Sequence, residues 1–192
     1  MATVSQADEE FLAMTREHIS RFLRRTAQRL AACSGKLLEI GSQDRSEVRQ
    51  CFSNYSVETF DIVDTHQPTH LGDITKHNAS IPEGSYDCVA CMEVIEHTLD
   101  PFGAVREMRR ILKQSGLLLI SAPLNLRIHG PLPDCWRFTE HGFRVLLRDF
   151  EILEFDILES PGRDLFPVHY NVLAKSDKFR HTADADLSFR WI

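Results

Sequence analysis

The sequence predicts an open α/β fold, a doubly wound and mostly parallel sheet with helices on both faces. Three observations carry that prediction. Lys36-Leu37-Leu38-Glu39-Ile40-Gly41-Ser42 is a short apolar run that ends in an acid and a glycine. Asp61 closes a second apolar run 20 positions after Gly41, the offset expected of a ribose-binding acid in a nucleotide fold. Asp73 follows a third short run, in Gly72-Asp73-Ile74. Such sheets bind ligands beyond the carboxyl ends of their strands. Three acids at three successive strand ends can converge on one adenosine.

Residues 5–33 read as an amphipathic helix, with Leu12, Ile19, Phe22, Leu23 and Leu30 near helical spacing. Ser5 is placed to cap it, and Asp8, Glu9 and Glu10 suit the positive end of the helix dipole. Arg21, Arg24, Arg25 and Arg29 read as a solvated face, and Gly35 as the stop signal. The first strand is expected at 36–40, and a short helix holding Val48 and Phe52 at 44–52. The second strand falls at 57–62, a short third ends near Leu71, and the fourth runs from Tyr86 to Met92. Asp100 and Pro101 form a strong helix start, a capping acid followed by proline at the first helical position. Phe102, Val105, Met108, Ile111 and Leu112 make the buried stripe of that helix. Gly116 precedes a fifth strand at 117–121. Residues 122–138 hold three prolines and no periodicity, which favours a binding loop over a plain connector. Thr139 is a cap for a helix with Phe143, Leu146 and Leu147, and two strands follow near 150–158 and 167–174.

The 192 residues fit one domain. We divide them into a helical segment at 1–34 packed on the domain, a ligand-binding domain at 35–175 and a tail at 176–192, whose aromatic end is either disordered or docked. A net charge of −6 argues against a broad phosphate-binding surface, so no nucleic-acid partner is expected. No apolar run approaches the roughly 20 residues that span a bilayer, and the N-terminus lacks the features of a signal peptide. A cytoplasmic location without membrane association is the expectation, and five scattered cysteines agree with it. Cys88 and Cys91 lie three apart on a strand and so face opposite sides, as two buried hydrophobes. The nine histidines show no paired-ligand spacing, and no metal is expected.

The run Tyr86-Asp87-Cys88-Val89-Ala90-Cys91-Met92-Glu93-Val94-Ile95-Glu96-His97, then Asp100-Pro101, the helix through Lys113 and Gly116–Pro123 resembles the class I S-adenosylmethionine-dependent methyltransferases. The likeness covers about residues 35–175. His129-Gly130-Pro131 and Asp134-Cys135-Trp136-Arg137-Phe138-Thr139 resemble a segment of a small-molecule-type subgroup. The resemblance implies a Rossmann-like sheet of seven strands, the last antiparallel, with S-adenosyl-L-methionine as cofactor. It departs from the family in its first loop, where Gln43 and Arg45 replace later glycines.

The resemblance implies roles for single residues. Asp61 would accept from the ribose hydroxyls, with Ile62 beside it. Asp73 would accept from the adenine amino group, and Ile74 would supply backbone there. Gly41 and Ser42 form the first loop, and Glu39 either holds it or reaches the cofactor ammonium. Met92 and Glu93 present carbonyls to that ammonium. His129 and Asp134, in the proline-rich loop, are candidates for proton removal or acceptor binding. His97 either orients the acceptor, acts as base, or ties loops together. His169 and Tyr170 are weaker candidates, while Trp136 and Phe138 are pocket walls or core.

The expected activity is methyl transfer to an oxygen or nitrogen of a small or medium-sized acceptor. The acceptor site would come from the N-terminal helix and the 122–138 loop, alone or with a second subunit in a homodimer. Two alternatives stand beside it. One is a cofactor-binding or regulatory module without transfer, suggested by Gln43 and Arg45. The other is a nicotinamide oxidoreductase, against which the missing GxGxxG argues.

Overall fold

In the computed structural model the described residues are 4–43 and 47–179. Arg45 and most of the 176–192 tail lie outside them. The chain runs α1 (Gln6–Arg29), β1 (Gly35–Ile40), α2 (Glu47–Cys51), β2 (Tyr55–Asp61), β3 (His70–Leu71), β4 (Tyr86–Met92), and a 3₁₀ turn (Ile95–His97). It continues with α3 (Pro101–Ile111), β5 (Leu112–Pro123), α4 (Glu140–Leu146), β6 (Phe150–Glu159) and β7 (Pro167–Ser176). The strands form one seven-stranded sheet in the order β3-β2-β1-β4-β5-β7-β6. Pairing is parallel from β3 through β5, and β7 runs antiparallel to both β5 and β6. The strand order reverses at β1 and β4, and the crevice beyond their carboxyl ends is where such sheets bind ligands.

Alternation along the strands divides the apolar residues between two cores. Leu37, Cys88, Ala90 and Leu119 pack with Ile19, Phe22 and Leu23 of α1 and Val48 of α2. Leu38, Val89, Cys91 and Leu118 pack on the other face with Val105, Met108 and Ile111 of α3 and Phe143 of α4. Cys88 and Cys91 therefore fall on opposite sides, both buried and both free thiols. Among the described residues no helix is long and apolar enough to cross a membrane.

Local signals act where the sequence places them. Ser5 and Asp8 form a reciprocal capping box at the start of α1. Asp100 accepts from Gly103 N at 2.8 Å, with Pro101 opening α3. Thr139 accepts from Gly142 N at 3.1 Å to start α4. Strand β2 spans Tyr55–Asp61 rather than 57–62, and two boundaries differ further from expectation. Helix α1 stops at Arg29 rather than 33, because the Asn54 amide donates to the carbonyls of Leu30 and Cys33 and draws the chain out of the helix. Strand β5 begins at Leu112 rather than 117: Leu112 pairs with Tyr86, and an irregularity between Tyr86 and Cys88 absorbs the intervening residues. Gly116 thus lies inside a strand, where a Cβ would sit 3.0 Å from the Lys113 carbonyl.

Candidate active site

A cavity of about 260 Å³ opens beyond the carboxyl ends of β1, β2 and β4. Gly41, Asp61, Ile62, Asp73, Ile74, Glu93 and His97 line it. Gly41 holds φ +68°, and a Cβ there would lie 2.5 Å from Val94 Cγ2. Bare backbone is therefore required at this wall. Asp61 Oδ1 accepts from Val63 N at 3.2 Å. Asp73 Oδ1 closes an Asx turn, accepting from Thr75 N and Thr75 Oγ1 at 2.8 Å each. The two carboxylates share one cleft, and Ile62 is exposed along its rim.

A second cavity of about 250 Å³ lies between α1 and the proline-rich loop, lined by Thr15, Arg16, Met92, His129 and Gly130 among others. Gly41, Gln43, Glu93, His97 and Pro131 line both cavities. Glu39, Ser42 and Met92 do not line the Asp61 cleft. They border a smaller recess with Gly41, under Ile19 and Leu23 of α1.

Glu93 stands at the junction of the two main cavities. It takes φ +57°, an uncommon conformation for a residue with a Cβ. Ser121 Oγ holds it twice, accepting from Glu93 N and donating to Glu93 Oε1, each at 3.1 Å. His169 Nε2 lies 2.7 Å from the same carboxylate oxygen. Burial opposes ionisation of Glu93, but His169 and Ser121 outweigh it and keep the carboxyl below its usual range. His169 Nδ1 in turn lies 3.0 Å from His18 Nδ1 of α1, and His18 Nε2 lies 3.1 Å from Asp156. Burial, then the neighbouring His169, lowers the His18 pKa. The line from Glu93 to Asp156 was invisible in the sequence: His18 and His169 are 151 residues apart and belong to no motif. His169 entered only as a weak candidate.

The 122–138 loop is folded back on the turn Ile95–His97. Cys135 N and Trp136 N donate to the Glu96 carbonyl, at 2.8 and 3.1 Å. Trp136 Nε1 donates to the Thr98 carbonyl at 2.8 Å. Asp134 is fully buried on its side chain and forms a two-pronged ion pair with Arg137. It also accepts from His129 N at 2.9 Å. The Arg137 guanidinium, and then the His129 backbone, hold the Asp134 carboxyl down at about 2. Asp134 is thus an anchor of the loop and lines neither of the two adjoining cavities. Arg137, which fixes it, was missed as a site residue; the His129, Asp134, Arg137 spacing was its only trace.

His97 and His129 meet edge to face with ring centroids 5.0 Å apart. His97 Nδ1 lies 3.0 Å from the Pro133 carbonyl, so this ring does tie the turn to the loop. It also lines both cavities. Glu96 lies behind the two rings, its side chain fully buried. Burial, and then the charge of Glu93, push the Glu96 pKa well above the ordinary carboxyl range. In the sequence Glu96 was only the neighbour of His97.

Residues 14–152 match the model of a family described as a methyltransferase domain. A ubiquinone biosynthesis O-methyltransferase of Proteus mirabilis is 25% identical over 139 residues, 63% of this chain and 52% of the relative. The chain thus spans about half the length of the curated relatives it matches. A SAM-dependent methyltransferase structure from Archaeoglobus fulgidus superposes with a TM-score of 0.66 at 17% identity, covering 84% of this chain and 94% of that one. The 1,6-didemethyltoxoflavin-N1-methyltransferase of Burkholderia thailandensis, crystallised with 1,6-didemethyltoxoflavin and S-adenosylhomocysteine, gives 0.58 at 13% identity, covering 92% and 93%. The chain belongs to the class I S-adenosylmethionine-dependent methyltransferases. The acid-lined cleft fits that family's cofactor: Gly41 and Gly72 bring bare backbone to it, and Asp61 and Asp73 supply acceptors for hydroxyl and amino groups.

Proposed function

We propose that this chain methylates an oxygen or nitrogen of a small or medium-sized acceptor seated in the cavity between α1 and the proline-rich loop. The observation that carries this reading is the shared wall of the two cavities at Gly41, Glu93 and His97. One cavity suits the adenosyl group, and the other adjoins it where a transferred group must pass. When bound, S-adenosylmethionine supplies a methyl group activated by its sulfonium.

The chain's own residues then bind, orient and exclude water. Asp61 accepts from the ribose hydroxyls, with Ile62 as an apolar edge. Asp73 and the Ile74 backbone meet the adenine. Glu39, Gly41, Ser42, Met92 and the Glu93 backbone surround the methionine end. On the acceptor side His129 and His97 present imidazoles to the second cavity. Either imidazole offers a ring nitrogen that can take a proton from a hydroxyl or amino acceptor. Asp134 is held ionised by Arg137 and serves to orient His129 rather than to take that proton. Leu12 and Arg16 of α1 close the opposite side, so a small acceptor is enclosed without a second subunit.

The test is a panel of phenolic, carboxylate and amine acceptors, read by release of S-adenosylhomocysteine. With an acceptor found, His129→Ala should lower turnover by about 10²-fold, the lower end of general-base effects. Affinity for S-adenosylhomocysteine should persist. Equal turnover in variant and parent removes His129 from the acceptor site. Binding of the cofactor with no transfer to any acceptor would favour a module that has lost transfer.

A further inference from the structure

We propose that Glu96, His97 and His129 form a binding site for one divalent transition-metal ion, Zn²⁺ or a metal of similar ligand preference, on the acceptor side of the cleft. Each offers one ligand atom, and the three atoms lie within 4.8 Å of one another. His97 Nε2 and His129 Nε2 each stand 3.7 Å from Glu96 Oε1. Two metal–ligand bonds of about 2.1 Å at a tetrahedral or wider angle span roughly 3.4–3.6 Å. The spacing is too long for hydrogen bonds and close to that of ligands around an ion.

The buried carboxylate points the same way. The Glu96 side chain is wholly buried, and neither oxygen has a hydrogen-bond partner. Its ion-pair partners among the described residues are the two imidazoles. An orphaned buried carboxylate is costly unless something compensates it. Nearby charge does not: Arg137 is committed to Asp134, and Glu93 adds a like charge.

The outer atoms of the two rings complete the pattern. His97 Nδ1 faces the Pro133 carbonyl at 3.0 Å, and His129 Nδ1 faces Asp134 Oδ2 at 3.2 Å. The Pro133 carbonyl favours the proton on His97 Nδ1 through a hydrogen bond, and the Asp134 carboxylate, close to His129 Nδ1 without an aligned hydrogen bond, favours it there by charge; each Nε2 lone pair is left on the side of Glu96. Metal-ligating histidines are held in this way, by a carbonyl or carboxylate on the far nitrogen. No local spacing signals it, because His129 joins His97 from 32 positions away, through the folded-back loop. Three protein ligands leave a position open, as in catalytic rather than structural zinc sites. His97 and His129 line the second cavity, so that position is available to water or to an acceptor hydroxyl. The hydroxyl assignment rests on the function proposed above, whereas the ion site does not; with an ion bound, the two rings would hold it instead of taking the acceptor's proton.

The test uses the full chain, stripped with chelator and titrated with Zn²⁺ alone by calorimetry. One ion per chain is expected. Glu96→Gln and His129→Ala should each weaken uptake at least as much as the roughly 10–100-fold lost with outer partners. Thermal unfolding and S-adenosylhomocysteine binding report whether each variant is folded. Co²⁺ added to the parent chain gives a reading independent of variants: ligand-field bands of a nitrogen-bearing, low-symmetry site are expected. No uptake, a Co²⁺ spectrum matching the free aqueous ion, or uptake unchanged in both variants overturns the site. Uptake that depends on Glu96 in a chain with no detectable methyl transfer supports the site and counts only against the acceptor reading. Transfer and cofactor binding without any ion uptake overturn the site alone.

Discussion

Asp61 offers the sharpest test of the proposed cofactor cleft. It ends β2, is only 9% exposed, and spends one oxygen on Val63 N at 3.2 Å. It lines the cavity it shares with Asp73. Two ribose hydroxyls donating to an ionised carboxylate make two charge-assisted bonds of roughly 1.5–3 kcal/mol each. Water entering an Asp61→Ala cavity recovers part of that, leaving a loss of about 2–4 kcal/mol. At 1.4 kcal/mol per decade, the dissociation constant for S-adenosylhomocysteine should rise roughly 30- to 700-fold. The fold loses much less. Val63 is half exposed, so its N–H turns to water when the carboxylate is removed, at about 1 kcal/mol or less. That corresponds to a melting shift of about 2–4 °C for a chain of this size. Calorimetric titration and thermal unfolding on the same samples separate the two effects. Asp61→Asn, which keeps one acceptor, should fall between parent and Asp61→Ala. Equal affinity in all three would remove Asp61 from the ribose site.

Two further predictions concern the frame around that cleft. Gly41→Ala places a methyl group 2.5 Å from Val94 Cγ2 at φ +68°, and should cost about 1–3 kcal/mol in denaturant unfolding while weakening cofactor binding. Unchanged values of both would show that the first loop tolerates a side chain. Glu58 is held down at about 2 by the Tyr86 hydroxyl, then by Lys36 and His70, against 4.5 without them. Its folded pKa is depressed, so its contribution is fully present above about pH 4.5 and is lost as pH falls towards 2. Melting curves across that window should show a smaller acid-induced drop for Glu58→Gln than for the parent, and parallel curves would remove Glu58 from the acid response.

The parts of the fold legible in the sequence were those set by local rules. The continuous apolar runs at 36–40 and 86–92 anticipated strands of a sheet covered on both faces, because each strand supplies both cores. Caps at Ser5, Asp100 and Thr139 were legible because a short polar side chain satisfies backbone donors within three residues. Asp61 and Asp73 could be placed together because parallel strands deliver their ends to one edge. The end of α1 was not legible, since it depends on Asn54, a residue 21 positions beyond Cys33. The support behind the second cavity was only partly so. Arg137 is defined by what it anchors, and Glu96 by what it lacks. Neither property has a local signature.

The contact between α1 and the cleft gives the N-terminal segment a larger part than that of a cover. The family match begins at residue 14, inside α1, and His18 lies one helical turn further on. Through His169, His18 bears on Glu93, the residue held at positive φ where the two cavities meet. A non-glycine residue keeps such a conformation only when its surroundings over-determine it. Here the surroundings are Ser121 on β5, His169 on β7 and, behind them, His18 on α1. Phe22 and Leu23, one turn on, seat the same helix against Leu37 and Ala90 of β1 and β4. The helix that lines the second cavity thereby also fixes the backbone at its junction with the Asp61 cleft. Apolar packing supplies the grip, and the two imidazoles carry the register to Glu93.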